Sequence, residues 1–267
     1  ALSQQIDPVR GWGREAESWG VFAELSKLGG PDWFQLGDKD LALHLIRAAL
    51  LADGLGLCEV TAVLARRLGV TSAASIMPAT EDRVRTRVIT SEGEMAFQEY
   101  FVKHRCEPHL IAVRYEGIEA AKPALPLVSL LENAVGPGVD VVLGPSNPFL
   151  SLAPILDVPG MPNLLKERAR RVIAVSPIVE GQALKGPAAK IMSELGLSVS
   201  AAGWMQWMSD RYPGLIDVWV WDERDHELAD TMRVTHPNIV VTDTVMSDPE
   251  RARQFAERIL RVSRDGD

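Results

Sequence analysis

From about residue 110 onward the apolar residues fall into short runs: Ile111-Ala112-Val113-Arg114-Tyr115, Val139-Asp140-Val141-Val142-Leu143, Arg171-Val172-Ile173-Ala174-Val175, Val199-Ser200-Ala201, Ile216-Asp217-Val218-Trp219-Val220-Trp221 and Ile239-Val240-Val241-Thr242. Residues 126–134, 149–156, 163–170, 187–195 and 204–211 lie between these runs and have the three-to-four-residue apolar spacing of helices, and a last helix is predicted from Asp248 to about Val262. Short strands alternating with helices imply parallel pairing with both faces covered. The predicted fold class is therefore α/β, a doubly wound, mostly parallel Rossmann-like sheet that receives ligands at the carboxyl ends of its strands.

The first hundred residues have a different rhythm. Residues 14–28 have helical spacing and are stopped by Gly29-Gly30-Pro31; a second helix runs from Asp38 to about Ala52, with Asp38 or Asp40 as its N-cap, and a third from Cys58 to Leu68. Residues 83–102 alternate in period two around Ser91-Glu92-Gly93-Glu94, which predicts a β-hairpin. One domain over 1–267 is expected, with a helical and hairpin region at about 14–108 inserted beside an α/β core at about 110–262.

Composition narrows the partners. The 267 residues are 46% hydrophobic and 24% charged, ordinary for a globular protein, and the formal net charge of −8 argues against a nucleic-acid backbone as the main partner. No apolar run approaches the roughly 20 residues of a membrane span and no leader pattern opens the chain, so a cytoplasmic protein is expected. Cys58 and Cys106 lack metal-ligand spacing and read as core thiols. A homo-oligomer is left open, with Trp204, Trp207, Trp219 and Trp221 as a candidate subunit contact.

Two loops carry candidate chemistry. Leu143-Gly144-Pro145-Ser146-Asn147-Pro148 joins a strand to a helix, and such a turn offers backbone N–H groups and hydroxyls to an anion at a positive helix end. The same residue types also serve turning and capping alone. A second loop of similar composition, from Ser176-Pro177-Ile178 to Lys185-Gly186-Pro187-Ala188, follows the next strand, and the pair suggests one diphosphate held between them. Asp38 and Asp40 read from the residues alone more readily as helix caps than as functional acids, and Thr242-Asp243-Thr244 ends a strand on the expected ligand side, where Asp243 reads equally as a turn cap.

These segments, together with Arg10-Gly11-Trp12-Gly13, Gly29-Gly30-Pro31-Asp32-Trp33-Phe34, Leu36-Gly37-Asp38-Lys39-Asp40, His44-Leu45-Ile46-Arg47, Arg83-Val84-Arg85-Thr86 and Phe97-Gln98-Glu99-Tyr100, resemble the 2-phospho-L-lactate transferases of coenzyme F420 biosynthesis over essentially the whole chain. Acidic segments and a glycine-rich turn that family members carry ahead of the Arg-Gly-Trp-Gly element have no counterpart in these residues. The alternative is therefore a non-catalytic nucleotide or sugar-nucleotide binder of the same superfamily.

The resemblance implies transfer of a phosphate-linked three-carbon acid, of the 2-phospholactyl or enolpyruvyl type, from a guanosine diphosphate adduct to the deazaflavin Fo with release of GMP. It implies Mg2+ as cofactor, with Asp38 or Asp40 as candidate ligand or catalytic acid. Gly144, Pro145, Ser146, Asn147 and Ser151 would cradle the diphosphate. Lys185 and Gly186 would add a second-loop contact, and Lys39, Trp12, Thr242 and Asp243 would line the substrates. A flat acceptor pocket is expected from among Trp12, Trp33, Phe34, Phe97 and Tyr100.

Overall fold

Two carboxylates exchanged between neighbouring helices organise the start of the chain. The computed structural model describes residues 6–7, 13–70, 74–134, 138–183 and 186–265. Asp38, in the first turn of α2 (Asp38–Ala52), accepts hydrogen bonds from Gly20 N, Val21 N and Ser18 Oγ at the start of α1 (Gly20–Lys27). Glu17, just ahead of α1, accepts from Lys39 N and Asp40 N at 2.9 and 3.1 Å. Each helix thus has two of its orphaned N–H groups satisfied from the other's doorstep. This corrects the expectation that Asp38 or Asp40 caps α2: the N-cap is Gly37, and a Cβ there would lie 2.2 Å from Glu17 Cδ. The start of α3 (Leu57–Arg67) is capped in the same way by Glu81, which accepts from Leu57 N and Cys58 N.

The alternating segment forms an antiparallel sheet of β1 (Arg85–Thr90), β2 (Gly93–Ala96) and β3 (Leu110–Glu116), in the order β2-β1-β3. Two expectations are corrected here. Residues 97–102 are helical, running into a π turn over Glu99–Lys103, because Tyr100 is drawn wholly into the core with its hydroxyl toward Cys106 O. The run at 110–116 pairs with β1 in the hairpin sheet and is not a strand of the parallel series.

After α4 (Leu125–Glu132) the chain enters the parallel sheet. β4 (Val139–Leu143) leads through a π turn, Pro148–Leu152, into α5 (Ala153–Leu156) and α6 (Met161–Arg168). β5 (Ala169–Val175) is followed by a small hairpin, β6 (Ile178–Val179) with β7 (Gln182–Ala183), then by α7 (Ala188–Glu194) and α8 (Ala201–Arg211). β8 (Val218–Asp222), α9 (His226–Met232), β9 (Ile239–Thr242) and α10 (Pro249–Asp265) complete the order β4-β5-β8-β9, with every neighbouring pair parallel. The hairpin β6–β7 and helix α9 are too short to leave a readable period in the sequence. Val199-Ser200-Ala201 is not a strand, since Ser200 is the N-cap of α8 and its Oγ accepts from Gly203 N at 3.0 Å.

Alternation along the strands sends residues to two faces. Val172, Ala174, Trp219 and Trp221 pack with Leu156, Leu165, Ile191, Trp204 and Ala229 from α5 to α9. Ile173, Val175 and Val220 pack instead on Phe255, Ile259 and Val262 of α10. Trp204, Trp219 and Trp221 are buried in the first of these layers, with the rings of Trp204 and Trp219 edge to face at 5.3 Å, and Trp207 packs on Phe149. Trp204, Trp219 and Trp221 are core residues and not the subunit contact that their spacing suggested, while Trp207 is half-buried.

Candidate functional site

The carboxyl ends of four parallel strands lie side by side, about 4.8 Å apart, and each emits a loop. The stretch after β4 contains the predicted Gly144, Pro145, Ser146, Asn147 and Ser151, the one between β5 and α7 contains Ser176 and Gly186, and Thr242 ends β9 with Asp243 directly after it. Lys185 and Trp12 lie outside the described residues.

The loop after β4 is built differently from a bare helix end. Asn147 Oδ1 accepts from Phe149 N and Leu150 N at 2.9 and 3.0 Å, Ser151 N and Leu152 N bond Asn147 O, and Ser146 N turns back to Gly144 O at 2.7 Å. Pro145 and Pro148 have no N–H to offer. The expectation that helix-end N–H groups cradle an anion is corrected: those donors are spent on the chain itself. What remains for a guest is the hydroxyls of Ser146 and Ser151, which have no partner among the described residues, and the buried Nδ2 of Asn147, which lacks an acceptor. A buried donor without an acceptor costs about 1–3 kcal/mol unless something meets it. Gly144 adds an opening: its backbone is not left-handed, and a Cβ there would meet nothing within 4 Å. The loop is braced from below by Tyr115, whose hydroxyl donates to Phe149 O at 2.5 Å, and by the Trp207 ring at 4.7 Å from that of Phe149.

In the second loop, Ser176 is 1% exposed and its Oγ bridges Ile178 N and Ile178 O, so it shapes the turn and faces no solvent. Gly186 sits at φ +72, a backbone that favours glycine.

Two acids missed by sequence reasoning complete this edge. Asp222, at the end of β8, is fully buried; its Oδ2 accepts from Thr244 N and Thr244 Oγ1 at 2.9 and 2.8 Å, while its Oδ1 faces Arg224. It pins the segment after β9 to the end of β8. Asp225 accepts from Glu180 N, and burial pushes its carboxyl above the usual aspartate range, helped by the neighbouring Asp222 and Glu180 carboxylates. An Asp directly ending an apolar strand was the available signal, the same one that singled out Asp243. Asp243 itself is committed: Val245 N and Arg251 occupy its two oxygens.

The α2 acids separate in role. Both oxygens of Asp38 are engaged in the α1 cap, and the hydrogen bond from Ser18 holds its carboxyl below the usual range. The side chain of Asp40 carries no hydrogen bond or ion pair among the described residues, and Lys39 Nζ donates to Glu15 O. α2 packs on α1 and α3, and no hydrogen bond among the described residues joins these acids to the loop after β4. The aromatic residues do not form one pocket. Trp33 and Phe34 line an apolar groove of about 270 Å³ with Phe22, Leu25, Leu36 and Leu41, Phe97 stacks on Phe101 elsewhere, and Tyr100 is core. No group of three metal-ligating side chains occurs among the described residues, so these residues do not fit a resident metal held by protein alone. No helix among them is long and apolar enough to cross a membrane.

A parallel sheet with helices on both faces and open loops along its carboxyl edge defines an α/β protein of the class that binds small molecules there. A family model described as 2-phospho-L-lactate transferase CofD matches residues 20–260. The 2-phospho-L-lactate transferase of Methanosarcina mazei is 34% identical over 263 residues, covering 98% of this chain and 82% of that protein. The phosphoenolpyruvate transferase of Mycolicibacterium smegmatis is 35% identical over 250 residues, covering 91% and 75%. The chain belongs to the 2-phospho-L-lactate transferase CofD family, whose substrates are small molecules. A solved member of the UPF0052 family from Bacillus halodurans shares the fold, with a TM-score of 0.55 at 14% identity over 81% of this chain and 71% of that one.

Proposed function

We propose that this chain transfers a phosphate-linked three-carbon acid from a guanosine diphosphate adduct to the deazaflavin Fo and releases GMP. The carrying observation is the loop after β4, where an open Gly144, the unpartnered hydroxyls of Ser146 and Ser151, and the orphaned Asn147 Nδ2 are gathered at a strand's carboxyl end. That loop takes the diphosphate. In the reaction the acceptor hydroxyl forms a bond to the phosphorus bearing the acid, the bond from that phosphorus to the GMP oxygen breaks, and GMP leaves with the electron pair. Such transfers are governed by positioning and charge neutralisation. Asp40 is assigned the hydroxyl proton because its carboxylate, unlike that of Asp38, is not consumed by a cap. A Mg2+ ion would supply charge neutralisation at the diphosphate, and Asp40 would be the α2 acid free to hold it.

Incubating the folded protein with Fo, the guanosine diphosphate adduct and Mg2+ is expected to yield GMP and a phosphodiester-linked deazaflavin. Absence of both overturns the proposal. Thermal stabilisation by a uridine sugar nucleotide, without response to GDP or Fo, identifies the non-catalytic binder instead.

A further inference from the structure

We propose that Tyr115 is a positioning residue for the transfer: its hydroxyl keeps the turn after β4 in π register and thereby aims the Ser151 hydroxyl at the diphosphate. This rests on the transfer reading above. The turn Pro148–Leu152 is wound with i→i+5 bonds, and Ser151 lies inside it. Ala153 N–H, which in an α-helix would reach Phe149 O, donates to Pro148 O instead. The residue that would serve Phe149 O in the pattern of the turn itself is Pro154, which has no N–H. Phe149 O is therefore orphaned by its own helix, in a residue that is 3% exposed. Left unmet, it would draw Ala153 N–H back and collapse the extra residue of the turn.

Another π turn, Glu99–Lys103, meets the same need from its own main chain. There His104 N–H donates to Glu99 O, and Tyr100, which corresponds to Phe149, has its carbonyl met by Cys106 N at 2.9 Å. That closure takes left-handed backbone at Arg105 and Cys106, φ +50° and +59°, and so ends the helix. After β4 the chain runs straight on into α5, so its main chain cannot fold back in this way. The donor comes from another sheet: Tyr115 of β3, 7% exposed, gives its hydroxyl to Phe149 O at 2.5 Å. Trp207 holds the Phe149 ring from α8, so the residue is fixed at both its carbonyl and its side chain.

Register matters to the site because Asn147 caps this turn and Ser151 is carried by it. Asn147 Oδ1 accepts from Phe149 N and Leu150 N, and Asn147 O accepts from Ser151 N and Leu152 N, while the Ser151 side chain is exposed and its hydroxyl has no partner among the described residues. Loss of the extra residue would rotate the later part of the turn against Asn147, and the Ser151 hydroxyl would leave the group that meets the diphosphate. The hairpin sheet thus sets the geometry of a loop on the parallel sheet through one hydroxyl.

The test is calorimetric titration with GDP of the wild type, Tyr115→Phe, Ser151→Ala, the double variant and Tyr100→Phe, each well below its melting temperature as read by differential scanning fluorimetry. Tyr115→Phe is expected to weaken GDP by about 5- to 100-fold. In the Ser151→Ala background the same change should cost less than about twofold, because the hydroxyl it aims is already gone. Tyr100→Phe also loses a buried hydroxyl directed at a main-chain carbonyl, and it should lower Tm with GDP affinity unchanged. Unchanged GDP affinity in Tyr115→Phe, losses that multiply in the double variant, or an equal loss in Tyr100→Phe overturns the positioning role alone, provided Ser151→Ala weakens GDP. A wild type that binds no GDP, or a Ser151→Ala protein that binds it as the wild type does, rejects the placement of the diphosphate, and this assignment with it.

Discussion

Exchange of Gly144 for alanine separates a ligand site from an ordinary turn. The backbone at Gly144 lies outside the left-handed region and its added Cβ would touch nothing in the protein, so the fold has no need of glycine there. The substitution should stabilise by about 0.4–1 kcal/mol through the reduced freedom of the unfolded chain, seen as a rise in Tm of about 1–4 °C for a chain of this size. If the diphosphate occupies that space, the methyl group overpacks the complex by about 1–3 kcal/mol, and GDP affinity falls about 5- to 150-fold. The counterpart is Gly203, in the first turn of α8, where a Cβ would stand 2.1 Å from Ser198 O. Glycine to alanine in a helix normally gains about 0.5–1 kcal/mol, but here the clash with main chain reverses the sign. A loss of about 1–3 kcal/mol is expected. Differential scanning fluorimetry reads both stabilities and calorimetry reads GDP binding. A Gly144→Ala protein that melts normally and binds GDP as the wild type does would refute the placement of the diphosphate.

Three further outcomes follow from the hydrogen bonds described. Asp38→Asn should lower Tm with little direct effect on turnover, and Asp40→Asn should lower turnover at unchanged Tm; the reverse pattern would exchange their roles. Asp225 has a folded-state pKa raised above its unfolded value, so the stability it contributes is complete below the ordinary Asp pKa and is lost as pH rises through the folded one. The Tm of Asp225→Asn relative to wild type should therefore climb from acid to neutral pH, and parallel Tm–pH curves would contradict the raised pKa. Burial pushes the Cys58 thiol up to about 11 and the Cys106 thiol upward, so neither should be alkylated by iodoacetamide at neutral pH until the protein unfolds, as read by mass spectrometry.

Short apolar runs announce strands even at the sheet's edges, and β4 and β9 occupy the residues their runs predict. Partnership is a different matter: nothing in Leu110–Glu116 distinguishes an antiparallel neighbour of β1 from a strand of the central sheet. Residues 97–102 alternate as a strand would, but burial of Tyr100 overrides the local period. At the site, Gly144 to Ser151 were legible as a turn with spare polar groups, whereas the consumption of the helix-end donors by Asn147 was not, because a cap and a cradle use the same residue types. Asp38 misled for the same reason. Its true partners, Ser18 and the start of α1, lie 17 to 20 positions away, beyond the reach of any local pattern.

The exchange of carboxylates between Glu17 and Asp38 ties two helix beginnings into a single latch. Neither first turn can fray without releasing the acid that secures the other. The amides of residues 20, 21, 39 and 40 should therefore exchange with deuterated solvent at a common opening rate, although two of them belong to one helix and two to the next.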